Sequence, residues 1–204
     1  MKIVGVDGAD WRLARDYAPV EPLEVDFDIL HTIAIWPQYF TYDTPPMIQP
    51  KRYDEPLPGD YFWDRDPQGW TVGNVPVTFP TTDINCSVPE TLGLPDSARE
   101  RWAERLELSE ILQTSQTGHT LVVVNGLDKL QHKTSDRDEL HEAYNTTFEW
   151  VMAHDPDVIL SDHGFDNAGG RSGMADHGRQ GVVYGLDVEK ASEVSDALAA
   201  RLDA

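Results

Sequence analysis

The segment Ser161-Asp162-His163-Gly164-Phe165 directly follows the apolar run Val158-Ile159-Leu160. An aspartate beside a histidine packs poorly in a core, but the two are good metal ligands. If 158–160 is a buried strand, both stand at its carboxyl end, where open α/β sheets build their sites. A second histidine turn, Ala175-Asp176-His177-Gly178, precedes another apolar run, Gly181-Val182-Val183-Tyr184. Asp128 and His132 come just after Leu121-Val122-Val123-Val124, and their spacing of four puts them on one helical face. Asp7 closes the opening run Lys2 to Val6 and is followed by Gly8; it reads equally well as a ligand or as a helix N-cap. The strand ends therefore offer Asp7, Asp128, His132, Asp162, His163 and His177. These carboxylates and imidazoles are enough for two divalent ions, and the donor set suits Zn²⁺ or Mn²⁺ better than Ca²⁺. Two such ions about 3.5–4 Å apart form a clamp for a phosphoryl or sulfuryl centre.

The elements that must position these ligands follow from hydrophobic patterning. Residues 2–6 read as a buried strand, 17–22 as loop, 27–36 as a second strand and 69–76 as a third. Residues 121–124 form a continuous β-branched run, which predicts a strand covered on both faces. Strands are also expected at 158–160 and 182–184. Helices are expected at 96–113, with Asp96 as N-cap and Trp102, Leu106 and Leu108 on the apolar side; at 138–154, carrying Leu140, Tyr144, Phe148 and Val151; and at 188–202. Residues 37–69 are rich in Pro, Tyr, Trp and Asp without clean periodicity, and 77–94 is turn-rich. Strands alternating with helices predict an α/β three-layer sandwich with a mainly parallel central sheet. The expectation is one domain over 1–204, with 37–70 as an aromatic and Pro-rich covering loop.

Charge narrows the partners. The chain has 36 Asp plus Glu against 16 Lys plus Arg, a net charge of −20. Such a surface repels nucleic-acid backbones and anionic membranes. Acidity spread without long blocks, together with few lysines, is the composition of a protein kept hydrated in concentrated salt, so a halophilic source is expected. A single cysteine, Cys86, excludes an internal disulfide and a cysteine-cluster metal site. The opening Met1 to Asp7 reads as a strand rather than a secretory leader, and no run approaches the length of a membrane span. The expected location is the cytoplasm, or a particle assembled there.

Five segments resemble, in order, those of the type I phosphodiesterase/nucleotide pyrophosphatase family of the alkaline phosphatase superfamily. They are Val4-Gly5-Val6-Asp7-Gly8-Ala9-Asp10-Trp11, the stretch from Gly69 to Pro80, Leu127 to His132, Ser161 to Phe165, and His177 ahead of Gly181-Val182. The resemblance implies an alkaline-phosphatase-like fold. It implies one ion held by Asp7, Asp162 and His163 and another held by Asp128, His132 and His177. It also implies a threonine or serine nucleophile that attacks phosphorus to give a covalent intermediate released by water. The family's nucleophile stretch has no clear counterpart between Asp7 and Trp70. Thr44, before Pro45-Pro46, has the best local likeness, and Thr32 and Thr41 are the other candidates. The chain is also shorter than typical members, which implies small or missing substrate-capping insertions.

Two functions follow. One is a two-metal phosphoesterase acting on a small phosphorylated substrate, with Arg171 or Arg179 as anion contacts. The other is a metal-binding module that has lost turnover and serves binding, assembly or self-association through the aromatic segment, for example as a surface or virion component of a halophilic system. Asp176 could orient His177 or simply be solvated. His31, His119, His141 and His154 lack a partner pattern and read as surface or strand-edge residues.

Overall fold

The computed structural model describes residues 1–28, 30, 32–42, 59–75, 85–87, 97–115, 117–134, 136–166 and 177–204. In chain order the elements are β1 (Lys2–Val6), α1 (Trp11–Ala14), β2 (Glu21–Glu24), α2 (Thr32–Tyr39), α3 (Phe62–Arg65), β3 (Trp70–Gly73), β4 (Asn85–Ser87), α4 (Ala98–Thr114), β5 (His119–Val124), α5 (Gly126–Gln131), α6 (Arg137–Ala153), β6 (Val158–Leu160), β7 (Gly164–Phe165), β8 (His177–Gly178), β9 (Gln180–Tyr184) and α7 (Val194–Leu202). The main sheet runs β2-β9-β6-β1-β5-β3-β4. Its neighbours from β6 to β4 are all parallel, while β9 is antiparallel to both β6 and β2. The expected mainly parallel sheet is present, and it is covered on both faces.

Alternation along the strands divides the core in two. Ile3, Leu121, Val123, Val158, Leu160 and Val183 face a layer built from α2, α3 and α7. Val4, Val6, Val122, Val124, Ile159 and Val182 face α4 and α6, through Leu108, Ile111, Leu140, Tyr144, Phe148 and Val151. The first layer is dominated by aromatics: Trp36, Tyr39, Phe40, Tyr61, Phe62, Trp63 and Trp70 are all buried. The aromatic residues described on either side of 43–58 thus serve as core. Gly5 makes their approach possible, since a Cβ there would lie 2.5 Å from the Trp36 ring.

Three expectations need correction. Where the strand expected at 27–36 reaches Thr32 the chain is helical instead, as helix α2 (Thr32–Tyr39). The alternating β-branched residues suggested a period of two, but Ile35 with Tyr39 and Trp36 with Phe40 are four apart and turn one helical face onto the sheet. The second strand is instead Glu21–Glu24, which begins within the loop expected at 17–22. It is an edge strand, the position that tolerates Pro22. The helix expected at 96–113 begins at Ala98, capped by Ser97 in a capping box with Glu100. Its outward face is also different: Trp102 and Leu106 are 58% and 49% exposed, while Arg101 and Glu104 are buried. The helix expected at 138–154 is present as α6, with Leu140, Tyr144, Phe148 and Val151 all inward, whereas of the helix expected at 188–202 the α-helical part is Val194–Leu202, preceded by a 3-10 turn at Ala191–Glu193. Among the described residues no helix is long and apolar enough to cross a membrane.

Overpacking between β1 and α2 gives a direct check on this layer. Gly5→Ala places a methyl group against Trp36 and 2.9 Å from Val123, and is expected to lower stability by about 1–3 kcal/mol. Urea denaturation measures it, and an unchanged midpoint would mean that Trp36 does not pack on β1.

Candidate metal centre

Strands β5, β1 and β6 lie side by side and parallel, so their carboxyl ends open at one point. Asp7 leaves β1 there, its amide bonded to Val124 O at 2.9 Å. Asp162 and His163 follow β6. Asp128 comes from α5, which begins two residues beyond the last residue of β5, and His132 caps the end of that helix. His177 arrives by a different route. It lies in β8, which pairs antiparallel with β7 and folds the chain back over the strand ends.

Six side chains converge as two adjoining groups. The ligand atoms of Asp7, Asp162 and His163 lie within 4.8 Å of one another, and so do those of Asp128, His132 and His177. Within the first, His163 Nε2 is 3.8 Å from Asp7 Oδ1 and 3.4 Å from Asp162 Oδ2. Within the second, Asp128 Oδ1 is 3.3 Å from His132 Nε2 and 4.0 Å from His177 Nε2. The groups touch, with Asp128 Oδ1 3.7 Å from His163 Nε2 and the His163 and His177 rings stacked 4.0 Å apart.

Two imidazoles are aimed by their other nitrogen. His163 Nδ1 lies 3.0 Å from Gly164 O, and His177 Nδ1 lies 2.8 Å from Leu30 O. Each backbone carbonyl favours a proton on Nδ1 and leaves Nε2 as the inward acceptor, the arrangement a metal-bound histidine uses. The turn that carries Asp7 is fixed as tightly. Gly8 has φ +68°, a conformation that favours glycine, and its N–H donates to Asp162 Oδ1 at 3.2 Å. Gln131 donates to Gly8 O, Tyr144 donates to Gln131 Oε1, and Asp10 N–H donates to the Tyr144 hydroxyl. Asp10 is the N-cap of α1. Its carboxylate accepts from Arg12 and from Phe165 N–H, and Arg12 also donates to Phe165 O.

Electrostatics make this an unsatisfied site. Asp7 Oδ2, Asp128 Oδ1 and Asp162 Oδ2 are buried and have no hydrogen-bond partner. Burial, then the neighbouring charges of Asp162 and Asp128, push the Asp7 carboxyl well up from its ordinary range. Burial pushes Asp162 up to about 6. Burial also acts upward on Asp128, but the adjacent His132 ring and the charge of Lys129 outweigh it and hold that carboxyl down. Lys129 Nζ donates to Asp128 Oδ2 at 2.7 Å, leaving Oδ1 to face the histidines. His177 is pushed down, first by burial and then by His163, which favours the neutral, ligating form. Buried carboxylate oxygens lying beside imidazole Nε2 atoms fit divalent cations in both groups.

The remaining candidates separate. Thr32, the first residue of α2, donates from Oγ1 to Asp7 Oδ1 at 3.2 Å and lies 3.3 Å from His163 Nε2. Thr41 is buried in a bridge with Tyr61, and its carbonyl accepts from the Ser195 hydroxyl. Arg179 donates to Val25 O and Phe27 O. Thr44, Arg171 and Asp176 lie outside the described residues. Sequence reasoning missed the supports Asp10, Arg12, Lys129 and Tyr144. Asp10 was legible as a polar N-cap beside Asp7, whereas Tyr144 was hidden among apolar helix positions.

Fold and site together define a three-layer α/β protein with a candidate two-ion centre at the carboxyl ends of a mainly parallel sheet. No family model and no curated protein matches the sequence. Among solved structures, the chain is similar to phosphonoacetate hydrolase from Sinorhizobium meliloti 1021 in its complexes with phosphonoformate and phosphonoacetate, with TM-scores of 0.41 and 0.42. Identity is 12%, over 81% of this chain and 56% of the hydrolase, so the chain matches little more than half of that protein's length.

The raised Asp162 carboxyl has a signed consequence. Without metal, the folded chain holds a proton there up to about pH 6, while an unfolded aspartate releases it near 3.9. Metal-free stability contributed by this group is therefore present at low pH and is lost as pH rises from about 4 to about 6. Asp162→Asn keeps an acceptor for the Gly8 N–H and removes the charge. In chelator at pH 7 it is expected to raise stability by on the order of 1–3 kcal/mol while the protein binds one ion fewer. Urea titration and elemental analysis check both. A variant less stable than wild type in chelator would show that the carboxylate is not a burden on the metal-free fold.

Proposed function

We propose that this chain is a two-metal phosphoesterase of the alkaline phosphatase superfamily, hydrolysing phosphate mono- or diesters with Thr32 as nucleophile. The observation that carries the reading is the trio of buried, unpartnered carboxylate oxygens facing imidazole Nε2 atoms, with one hydroxyl in their midst. The five ordered sequence resemblances support it independently of the geometry. Asp7, Asp162 and His163 would hold one ion, and Asp128, His132 and His177 the other. Bound there, divalent ions supply Lewis-acid stabilisation of charge on the phosphoryl and leaving oxygens and favour an ionised nucleophile.

The chain's own residues account for the rest. Thr32 Oγ1 already points its proton at Asp7 Oδ1, so attack on phosphorus has an acceptor for that proton. The Thr32 Oγ–P bond forms as the ester P–O bond breaks, and the leaving alkoxide takes up the proton passed to Asp7 and departs as the alcohol. Water then attacks phosphorus, Thr32 regains its proton, and phosphate or a phosphomonoester is released. The hydroxyl stands at the first turn of α2, whose N-terminal amides add positive potential where phosphoryl oxygens gather. Thr32 takes the role for which Thr44 has the better local sequence likeness, because its hydroxyl reaches both Asp7 and His163.

The test combines metal content with turnover. Wild-type protein is expected to carry close to two ions per chain and to hydrolyse p-nitrophenyl phosphate or bis-p-nitrophenyl phosphate. Thr32→Ala should keep the metal and lose at least about 10³-fold in kcat, and Thr32→Ser should recover part of the rate. Full activity in Thr32→Ala would remove the covalent route. Two bound ions without turnover on either ester class would instead favour the binding-module reading.

A further inference from the structure

Helix α5 carries Asp128 and ends at His132, yet it lacks a cap of its own, since the Asn125 side chain makes no bond to the helix's first amides. The cap comes from another helix. Glu104, on α4, accepts from Asn125 N–H at 2.8 Å through Oε1 and from Gly126 N–H at 3.1 Å through Oε2. Asn74 Nδ2 donates to the same Oε1 at 3.0 Å and to Val123 O at 2.7 Å. Asn125 Nδ2 closes the ring by donating to Asn74 O at 3.2 Å. One carboxylate thus joins α4, the end of β3, the end of β5 and the start of α5.

The arrangement is costly, and packing does not explain it. Glu104 is only 7% exposed, while Trp102 and Leu106 on the same helix stand in solvent. Packing alone would favour the opposite choice, an apolar residue at 104. Asn74 holds φ 58°, a left-handed conformation uncommon outside glycine. Gly126 lets both side chains approach this closely, because a Cβ there would lie 2.9 Å from Arg101 Cγ and 3.0 Å from Glu104 Oε2 and one of them would have to shift. Strain, a buried charge and a close-packed glycine all converge on the first turn of the helix that presents Asp128 and His132.

We propose that Glu104 is a positioning residue for one metal group only: by clamping the start of α5 it aims Asp128 and His132 at His177. The other group, Asp7, Asp162 and His163, takes its ligands from the ends of β1 and β6, and α5 supports it through a bond to backbone, Gln131 to Gly8 O, made at the end of the helix away from Glu104. The inference rests on the reading of both groups as metal sites.

Zn²⁺ titration by calorimetry on chelator-stripped full-length chain separates the two groups. Glu104→Gln keeps the volume but turns an amide NH₂ toward a backbone or Asn74 donor, removing at least one bond. In an Asp162→Asn background, which leaves the Asp128 group intact, Glu104→Gln is expected to weaken Zn²⁺ binding about 10- to 100-fold. In an Asp128→Asn background, which leaves the Asp7 group intact, it should change affinity less than about threefold. Equal loss in both backgrounds, or none in either, overturns the proposal, because a merely structural role would not discriminate between them. If Glu104→Gln fails to fold by circular dichroism, Asn74→Gly carries the same comparison: it tolerates the left-handed backbone and removes one donor to Glu104. Unchanged affinity for the Asp128 group in that variant also overturns the proposal. Wild-type chain that binds no Zn²⁺ refutes the metal reading itself, whereas two ions bound equally well with Gln at 104 refute this inference alone.

Discussion

Three carboxylates brought together out of water are the constraint on which the rest of this structure turns. Asp7, Asp128 and Asp162 stand at the ends of adjacent apolar strands, where neither solvent nor an arginine reaches their inward oxygens. Like charges at such spacing cannot all stay ionised unaided. The protein relieves one of them, through Lys129 and His132 on Asp128, and leaves Asp7 and Asp162 to hold protons or a cation. An arrangement that destabilises the metal-free chain is what a binding site for divalent ions requires, because the energy of the bound state is measured against that burden.

Around this centre the polar contacts serve placement. The Gly8 turn is pinned by Asp162, Gln131 and, through Gln131, Tyr144, which ties the loop after β1 to α5 and α6. Asp10 and Arg12 hold the chain at Phe165, just beyond His163. Backbone carbonyls of Leu30 and Gly164 set two of the imidazoles. Both covering layers contribute: α5 and α6 support the ligands from one face of the sheet, and α2 delivers Thr32 from the other. A hydroxyl, three carboxylates and three imidazoles from distant parts of the chain therefore meet within hydrogen-bonding or near-ligand distance.

Helix α4 shows how a local pattern can mislead about a global site. Read by hydrophobicity, its inner side should have carried Trp102 and Leu106. The buried residues at that end are Arg101 and Glu104, because the helix faces the backbone amides of Asn125 and Gly126 rather than an apolar surface. This orientation satisfies two buried backbone donors, each of which would cost about 1–3 kcal/mol if left unpaired. The same holds for 27–36, where the alternation of Ile29, Ile33 and Ile35 imitated a strand while the residues that meet the sheet recur at helical spacing.

By itself the sequence determined the types of the candidate ligands and their positions at strand ends. Val158-Ile159-Leu160 before Asp162-His163, and Leu121 to Val124 before Asp128, are local patterns whose meaning needs no knowledge of neighbours. Periodicity likewise determined the inward face of α6. Tertiary structure alone decided that the two groups implied by the resemblance adjoin, that Thr32 lies beside Asp7, and that Glu104 caps the helix carrying Asp128 and ending at His132. Those facts depend on strand order and on the packing of α2 and α4 against the sheet. Strand order is set by the sum of many weak long-range contacts, and no short window of the chain records that sum.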